Sequence, residues 1–289
     1  MLTLENAILR VTINPKGAEL TSIFHKENGI DYCWSADAAF WGKSSPVLFP
    51  IVGALKDNCY TFDGKSYSLP RHGFARDYVF EVEKQEVDSL TFLLKSNVDT
   101  LAMFPFEFEF RLRYTLTNNQ LSVSYLVDNT GDNTLYFSVG GHPAFAVPLT
   151  EDTTYNDYFL EFNQQETFAR WPLADGGLIG LNPETMLEET TKMPLSKELF
   201  YEDALVFKGL KSTNIVLKSD KTKHQLSFDF EGFPFLGIWA AKDANFVCIE
   251  PWCGIADSEN HNQELTQKEG IETLEVNKTF ERTWSVSVN

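Results

Sequence analysis

Hydrophobic and polar residues alternate along much of this chain, and the alternation predicts β-strands. The clearest case runs from Phe106 to Thr117, where Phe, Leu and Tyr take every second position and Glu, Arg and Thr the others. A period of two places one set of side chains in a core and the other in solvent. Asn118-Asn119 then forms a turn, and residues 121–127 alternate in the same way. We therefore predict a β-hairpin here.

The same pattern recurs from one end of the chain to the other. Strands are predicted at 9–13, 135–139, 214–218 and 281–288, with a further hairpin around Asp63-Gly64. Short strands spaced about 8–12 residues apart, with turn residues between them, are typical of a sandwich or barrel of antiparallel sheets. Helical patterns are scarce, with one possible turn at 196–200. No linker or repeat divides the sequence, so we predict one all-β domain spanning residues 1–289.

Composition narrows the possible partners. The 289 residues carry a net charge of −17, which argues against nucleic acid and anionic membranes because phosphate binding needs clustered Lys and Arg. No apolar run approaches the roughly 20 residues of a membrane span, and the first residues do not form a secretory signal. We expect a cytoplasmic protein with four free cysteines, none in metal-type spacing. The oligomeric state is left open.

Three short segments carry the candidate chemistry. They are Arg71-His72-Gly73-Phe74-Ala75-Arg76, Gly140-Gly141-His142-Pro143-Ala144-Phe145 and Ile249-Glu250-Pro251-Trp252. A carboxylate base and two imidazoles held by rigid Gly and Pro turns suit proton transfer on a polar, flat-faced ligand. Trp252 and Trp239 are candidate stacking surfaces. The histidines lack the close spacing common in metal sites, so we expect no metal.

The neighbouring residues in each segment suggest how its histidine or glutamate is held or protonated. Arginines facing His72 would lower its pKa and favour a neutral imidazole. Pro143 restricts His142 to extended geometry, which suits a fixed general acid. Glu250 lies at the end of an apolar strand, where burial would raise the pKa of the carboxyl and make it a base near neutral pH.

Each of these segments could instead have a purely structural role. The histidine of the first segment could lie in a solvent-exposed basic turn. The second segment could be a turn with an incidental histidine, and Glu250 could belong to a structural ion pair. Both tryptophans could be core residues. The run Ser45–Gly53, apolar between two prolines, could be a buried edge segment.

Taken together and in this order, the segments resemble the aldose 1-epimerase, or galactose mutarotase-like, superfamily, and most of all its bacterial LacX-type subgroup. The resemblance runs nearly end to end. It rests on Gly17-Ala18-Glu19-Leu20, on Pro46–Gly53, on Leu69–Arg76, on Gly141–Phe145, on Asp203–Phe207 and on Ile249–Ser258. It implies a β-supersandwich of large antiparallel sheets and a reaction that needs no cofactor.

The resemblance also implies roles for particular residues. Glu250 would be the base that takes the proton from the anomeric hydroxyl, and His142 the acid that protonates the ring oxygen. His72 would hold the ring oxygen and stabilise developing charge. Asp203 would hydrogen-bond sugar hydroxyls.

One position departs from the subgroup, whose members often have Val-Gly-Arg after the Phe-Pro motif, with the arginine contacting the sugar. Here the run is Gly53-Ala54-Leu55-Lys56, so Ala54 stands at the arginine position. Lys56 is a candidate substitute, although it lacks the planar guanidinium. Affinity and substrate identity are therefore open.

Three functions fit these observations, and a fourth, weaker one is a carbohydrate lyase or hydrolase, which would need a second catalytic carboxylate close to Glu250. The first is an aldose 1-epimerase acting on a free hexose such as galactose or glucose. The second is a hexose-6-phosphate 1-epimerase, with Arg76 binding the phosphate and Arg71 assisting. The third is a non-catalytic sugar-binding protein on the same scaffold, which the Ala54 departure supports. All three predict a small-molecule sugar as partner.

Overall fold

The structure, a computed structural model, describes all residues from Met1 to Asn289, and about half of them lie in antiparallel strands. The strands are β1 (Leu2–Glu5), β2 (Leu9–Asn14), β3 (Glu19–His25), β4 (Val47–Leu48), β5 (Cys59–Phe62), β6 (Lys65–Ser68), β7 (Glu81–Gln85), β8 (Ser89–Lys95), β9 (Phe108–Thr117), β10 (Gln120–Asn129), β11 (Leu135–Phe137), β12 (Val139–Gly141), β13 (Ala144–Ala146), β14 (Tyr158–Arg170), β15 (Leu173–Ala174), β16 (Leu178–Ile179), β17 (Glu184–Pro194), β18 (Leu205–Lys208), β19 (Asn214–Ser219), β20 (Leu226–Asp229), β21 (Phe235–Trp239), β22 (Phe246–Cys253), β23 (Glu272–Leu274) and β24 (Thr279–Val288).

Two large sheets organise the molecule. One has nine strands in the order β17-β14-β19-β20-β24-β10-β9-β8-β7. The other has the order β18-β21-β22-β12-β4, with β13 also pairing with β22. The predicted hairpin is confirmed as β9 and β10, with Leu116 opposite Leu121. The prediction of an all-β fold of large antiparallel sheets is therefore confirmed.

Aromatic residues join the two large sheets. Phe145 on β13 packs edge-on against Phe228 on β20, and Phe168 on β14 packs against Phe207 on β18. These contacts belong to one core cluster of 70 buried residues, which extends from Leu4 to Val288. Because one core draws on both ends of the sequence, we propose that residues 1–289 form a single domain.

One local strand prediction was wrong. Residues 135–139, predicted as one strand, divide at the fully buried Ser138 into β11 and β12, which lie in different sheets. The Ser138 amide donates to the carbonyl of Pro50 instead of continuing a ladder, and alternation alone does not reveal this change of sheet.

Helices are short. The one α-helix, α1 (Val98–Met103), was not predicted. Asn97 accepts from the amides of Asp99 and Thr100, and the Thr100 hydroxyl accepts from the Asn97 amide, which is a capping box. The predicted turn at 196–200 is a 3₁₀ turn over Lys197–Phe200. No helix of the structure is long and apolar enough to cross a membrane.

Candidate active site

A cavity of about 240 Å³ opens on the six-stranded sheet and brings the three candidate segments together. Its wall contains His72, His142 and Glu250, with Asp203 and Trp252 beside them. At roughly 30 Å³ per water molecule, it has room for about eight waters. Side chains that are far apart in the sequence therefore meet in one small, partly apolar space.

Glu250 lies inside β22, three residues before its end, and not at the end of a strand as predicted. It pairs with Gly237 on β21, and its side chain is 2% exposed. Burial, reinforced by the negative charge of Asp203, raises the pKa of the carboxyl well above its usual range. The oxygen Oε2 has no hydrogen-bond partner, so it is available to a ligand.

His142 follows β12 directly, and its backbone amide donates to the carbonyl of Pro46. Its Nε2 lies 3.3 Å from Oε2 of Glu250. Aromatic rings surround the imidazole, with Trp41 at 4.9 Å and Trp239 at 5.5 Å between ring centroids. This burial lowers the pKa of His142 to about 3, so the imidazole is neutral in the free protein.

His72 occupies a strained backbone position with φ of 68°. Its amide donates to the carbonyl of Gly53, and the amide of Gly53 donates to Nδ1 of the same imidazole, at 3.1 Å. Because Nδ1 accepts this bond, the proton of the neutral ring is on Nε2. Burial and then the charges of His142, Arg76 and Arg71 lower the pKa of His72, in the direction that the two flanking arginines predict.

Trp252 forms the floor of the cavity. Its indole covers two glycines of the adjacent strands, and a Cβ atom on Gly237 or Gly140 would lie 2.5 Å or 2.7 Å from the ring. Glycine is therefore needed on both sides of this tryptophan. The ring is 6% exposed and packs in a second cluster of eight buried residues that includes Val206 and Ala256.

The two arginines line the mouth of the cavity. Arg71 donates from Nη2 to the carbonyl of Gly176, and Arg76 donates from Nη2 to the carbonyl of Arg71. Neither guanidinium has a carboxylate within 4.0 Å. Two cations without anionic partners therefore border a cavity in a protein of net charge −17.

Lys56 lies elsewhere, in contrast to the expectation that it replaces the missing arginine. Its ammonium donates to the carbonyls of Glu259 and His261, and it does not line the cavity. The reason is that the turn after Gly53 directs residue 56 toward the loop 257–261. Ala54 itself is 2% exposed, so the position leaves no cation in the cavity.

The sequence profile of the family described as aldose 1-epimerase matches residues 1–272. The chain belongs to the aldose 1-epimerase family. Protein LacX (chromosomal) of Lactococcus lactis subsp. lactis is 32% identical over 99% of both chains.

Two solved structures support the same placement. A galactose mutarotase related enzyme from Lactobacillus acidophilus is 38% identical, with a TM-score of 0.95 over 100% of this chain and 97% of that one. A galactose mutarotase-like protein from Lactobacillus casei is 30% identical, with a TM-score of 0.94 over 100% of both chains. The resemblance inferred from the sequence motifs is confirmed at the level of family and fold.

Sequence reasoning missed part of the cavity wall. Trp41 contacts the ring of His142 and stacks on Phe246, yet it lies in a polar, Ala-rich stretch without strand periodicity. The short β15–β16 hairpin contributes Leu173, Gly177 and Ile179. A tryptophan outside any strand pattern was the one available signal. The hairpin offered none, because nothing in its sequence indicates which part of the molecule it covers.

Outside the cavity, a fully buried ion pair supports the turn that holds His72. Lys268 donates to Oδ1 of Asp257 at 2.8 Å, and both side chains are 0% exposed. The amide of Lys56 donates to Oδ2 of Asp257, and the amide of Asp257 donates to the carbonyl of Ala54. This pair therefore anchors the residues that follow Gly53, whose amide fixes the tautomer of His72.

We expect Lys268→Met to lower the free energy of unfolding by about 3–5 kcal/mol, because it leaves the Asp257 charge buried without its partner. Urea unfolding followed by tryptophan fluorescence measures the change. The double substitution Asp257→Asn with Lys268→Met removes both charges, and it should recover most of the loss. If Lys268→Met alone were as stable as the unmodified protein, Asp257 would not carry a charge in this position.

The lowered pKa of His142 also has a consequence for stability. The unfolded imidazole takes up a proton near its ordinary pKa of 6.5, whereas the folded one resists protonation down to about pH 3. The neutral imidazole therefore contributes stability above pH 6.5 that is lost as the pH falls, at up to about 1.4 kcal/mol per pH unit. Glu250 acts with the opposite sign, because the raised pKa of its carboxyl favours the folded state at low pH.

Comparison of the unmodified protein with His142→Asn isolates the imidazole contribution. Between about pH 6.5 and pH 5, the unmodified protein should lose about 1–2 kcal/mol more than the variant. Urea unfolding at several pH values gives both curves. Parallel curves would mean that His142 titrates in the folded protein as it does in water.

Proposed function

We propose that the protein is an aldose 1-epimerase that interconverts the α and β anomers of a free hexose by acid–base ring opening and closure. The observation that carries the proposal is the Glu250–His142 pair, a buried carboxylate and an imidazole 3.3 Å apart in the wall of a small cavity. Such a pair can take a proton from one oxygen of a bound sugar while giving a proton to another.

The reaction begins with the anomeric hydroxyl directed at Oε2 of Glu250, which has no partner in the free protein. In the reactive form of the sugar complex, the one proton of the pair is on His142 and not on Glu250. The Glu250 carboxylate then takes the proton of the anomeric hydroxyl, and the His142 imidazolium gives its proton to the ring oxygen. The bond between C1 and the ring oxygen breaks, and a free aldehyde forms. Rotation about C1–C2 followed by the reverse proton transfers closes the ring on the other face and inverts C1.

The opposed pKa shifts serve this chemistry. Burial makes the carboxylate of Glu250 a stronger base and the imidazolium of His142 a stronger acid than either is in water. The pair holds one proton in total, either on Glu250 or on His142. Ring opening leaves Glu250 protonated and His142 neutral. Ring closure returns the proton from Glu250 to the sugar and gives a proton back to His142. The pair therefore needs no proton from solvent during a cycle.

The remaining residues have supporting roles in this proposal. His72 presents its Nε2 proton to the cavity, where it can donate to the ring oxygen and stabilise developing negative charge. Asp203 lines the same wall and can accept from sugar hydroxyls. Trp252 offers an apolar floor to the C–H face of a pyranose ring.

The test is the rate of anomer exchange, followed by NMR or polarimetry, with α-galactose, α-glucose and α-glucose 6-phosphate. Acceleration on at least one free hexose is the expected result. Saturable binding of sugar without acceleration would overturn the catalytic proposal and favour a sugar-binding protein, with Ala54 as the residue to explain.

A hexose 6-phosphate is the second candidate substrate, and one specific observation favours it. Arg71 and Arg76 border the cavity without carboxylate partners, and a phosphate would supply the missing anion. In that case glucose 6-phosphate should exceed glucose in kcat/KM, and Arg76→Gln should remove most of the preference. Equal or lower kcat/KM for the phosphorylated sugar would eliminate this candidate.

A further inference from the structure

Three side chains with metal-binding donor atoms lie close together, and two of them, His142 and Glu250, line the cavity. Cys248 and Glu250 are two residues apart on β22, so their side chains leave the strand on the same face. His142 approaches this face from the turn after β12. The donor atoms of all three residues lie within 4.8 Å of one another.

These donor atoms are not engaged by the rest of the protein. Oε2 of Glu250 has no hydrogen-bond partner, although the residue is 2% exposed. The thiol of Cys248 is free and fully buried. Nε2 of His142 faces Glu250 at 3.3 Å. The donor atoms of a thiol, an imidazole and a carboxylate therefore surround one small volume.

The three donor atoms, a sulfur, a nitrogen and an oxygen, favour some metal ions over others. A tetrahedral Zn²⁺ binds sulfur at about 2.3 Å and nitrogen or oxygen at about 2.0–2.2 Å, which places two ligands of the same ion about 3.5 Å apart. The separation of 3.3 Å between His142 and Glu250 meets this requirement, and Cys248 needs only a small side-chain adjustment. Mg²⁺ and Ca²⁺ prefer oxygen ligands, so a site that includes sulfur and nitrogen suits Zn²⁺ or Co²⁺.

We propose that His142, Cys248 and Glu250 form a binding site for Zn²⁺ or Co²⁺ whose occupation excludes sugar. The ion enters through the cavity, whose wall His142 and Glu250 form. Three protein ligands leave a fourth position open to the cavity. The bound ion engages the lone pairs that acid–base catalysis needs, so it acts as an inhibitor and not as a cofactor. The inhibition of anomer exchange rests on the proposed function, whereas the binding of the metal ion does not.

Titration with Co²⁺ tests the binding directly, because Co²⁺ bound to a thiolate gives a charge-transfer absorption that neither imidazole nor carboxylate produces. The unmodified protein should show this band at one equivalent, and Cys248→Ser should lose it. Cys33→Ser is the matched control, since Cys33 is also a free, buried cysteine, 6% exposed. Absence of the band in the unmodified protein, or its persistence in Cys248→Ser, would overturn the proposal.

Inhibition of anomer exchange by Zn²⁺ is the second measurement. Zn²⁺ should compete with sugar, and removal of the ion by a chelator should restore the rate. Cys248→Ser should keep its basal rate but need about tenfold or more Zn²⁺ for equal inhibition, because it lacks one ligand. Equal sensitivity of both proteins would remove Cys248 from the site. A Co²⁺ band in a protein without any anomer exchange would refute the proposed function alone.

Discussion

Glu250→Gln should lower kcat for anomer exchange by about a thousandfold, within the range of 10²–10⁴ that general acid–base catalysis contributes. Glutamine keeps the size and one acceptor oxygen of glutamate, but it cannot take the proton of the anomeric hydroxyl. KM should change much less, because the amide can still hydrogen-bond the sugar. Initial rates over a range of sugar concentrations, measured by polarimetry, separate the two parameters.

The control for this substitution is Glu166→Gln. Glu166 is also a buried carboxylate, 4% exposed, but it accepts from the amide and hydroxyl of Ser212 and does not line the cavity. The Glu166→Gln variant should have a lower free energy of unfolding than the unmodified protein and the same kcat. A Glu250→Gln protein that is correctly folded and within a fewfold of the normal rate would refute the role of Glu250 as base.

His142→Asn should lower kcat by about 10²–10⁴-fold as well, because asparagine cannot deliver a proton to the ring oxygen. The two substitutions should not be additive. Since Glu250 and His142 exchange one proton as a unit, the double variant should be about as slow as the slower single variant. Rates of both single variants and of the double variant, measured on the same sugar, give the coupling between the two residues.

His224→Asn serves as the control, because His224 lies beside Asn28 and the terminal Asn289, away from the cavity. The His224→Asn variant should exchange anomers at the same rate as the unmodified protein. If His142→Asn retained most of the activity while His72→Asn lost it, the acid would be His72. That result would be compatible with the geometry, since the two imidazole centroids are 5.8 Å apart.

Much of the fold could be predicted from local patterns. Alternation of Phe, Leu and Tyr with charged residues identified β9 and β10 to within two residues at each end, because a strand with one solvated face has a period of two. The division of residues 135–139 between two sheets could not be predicted. Both halves are buried and extended, and only contacts with distant strands decide which sheet each half joins.

Part of the site was predictable as well. His72, His142 and Glu250 were identified because histidine and glutamate are unusual beside Gly, Pro and apolar residues, and all three line the cavity of the structure. Trp41 was missed because its contacts with His142 and Phe246 are set by tertiary packing. Lys56 was wrongly expected in the cavity, because a position two residues past a glycine turn does not reveal the direction of its side chain.

Periodicity and motifs are properties of neighbouring residues, so the sequence alone established the all-β class, the family, the two residues that carry the proposed proton transfers, and His72, which supports them. Tertiary packing set how these residues interact. It placed Nε2 of His142 3.3 Å from Glu250, it fixed the tautomer of His72 through the amide of Gly53, and it brought Cys248 to the same pair. Distances between side chains more than a hundred residues apart depend on the register and packing of whole sheets, which no local pattern encodes.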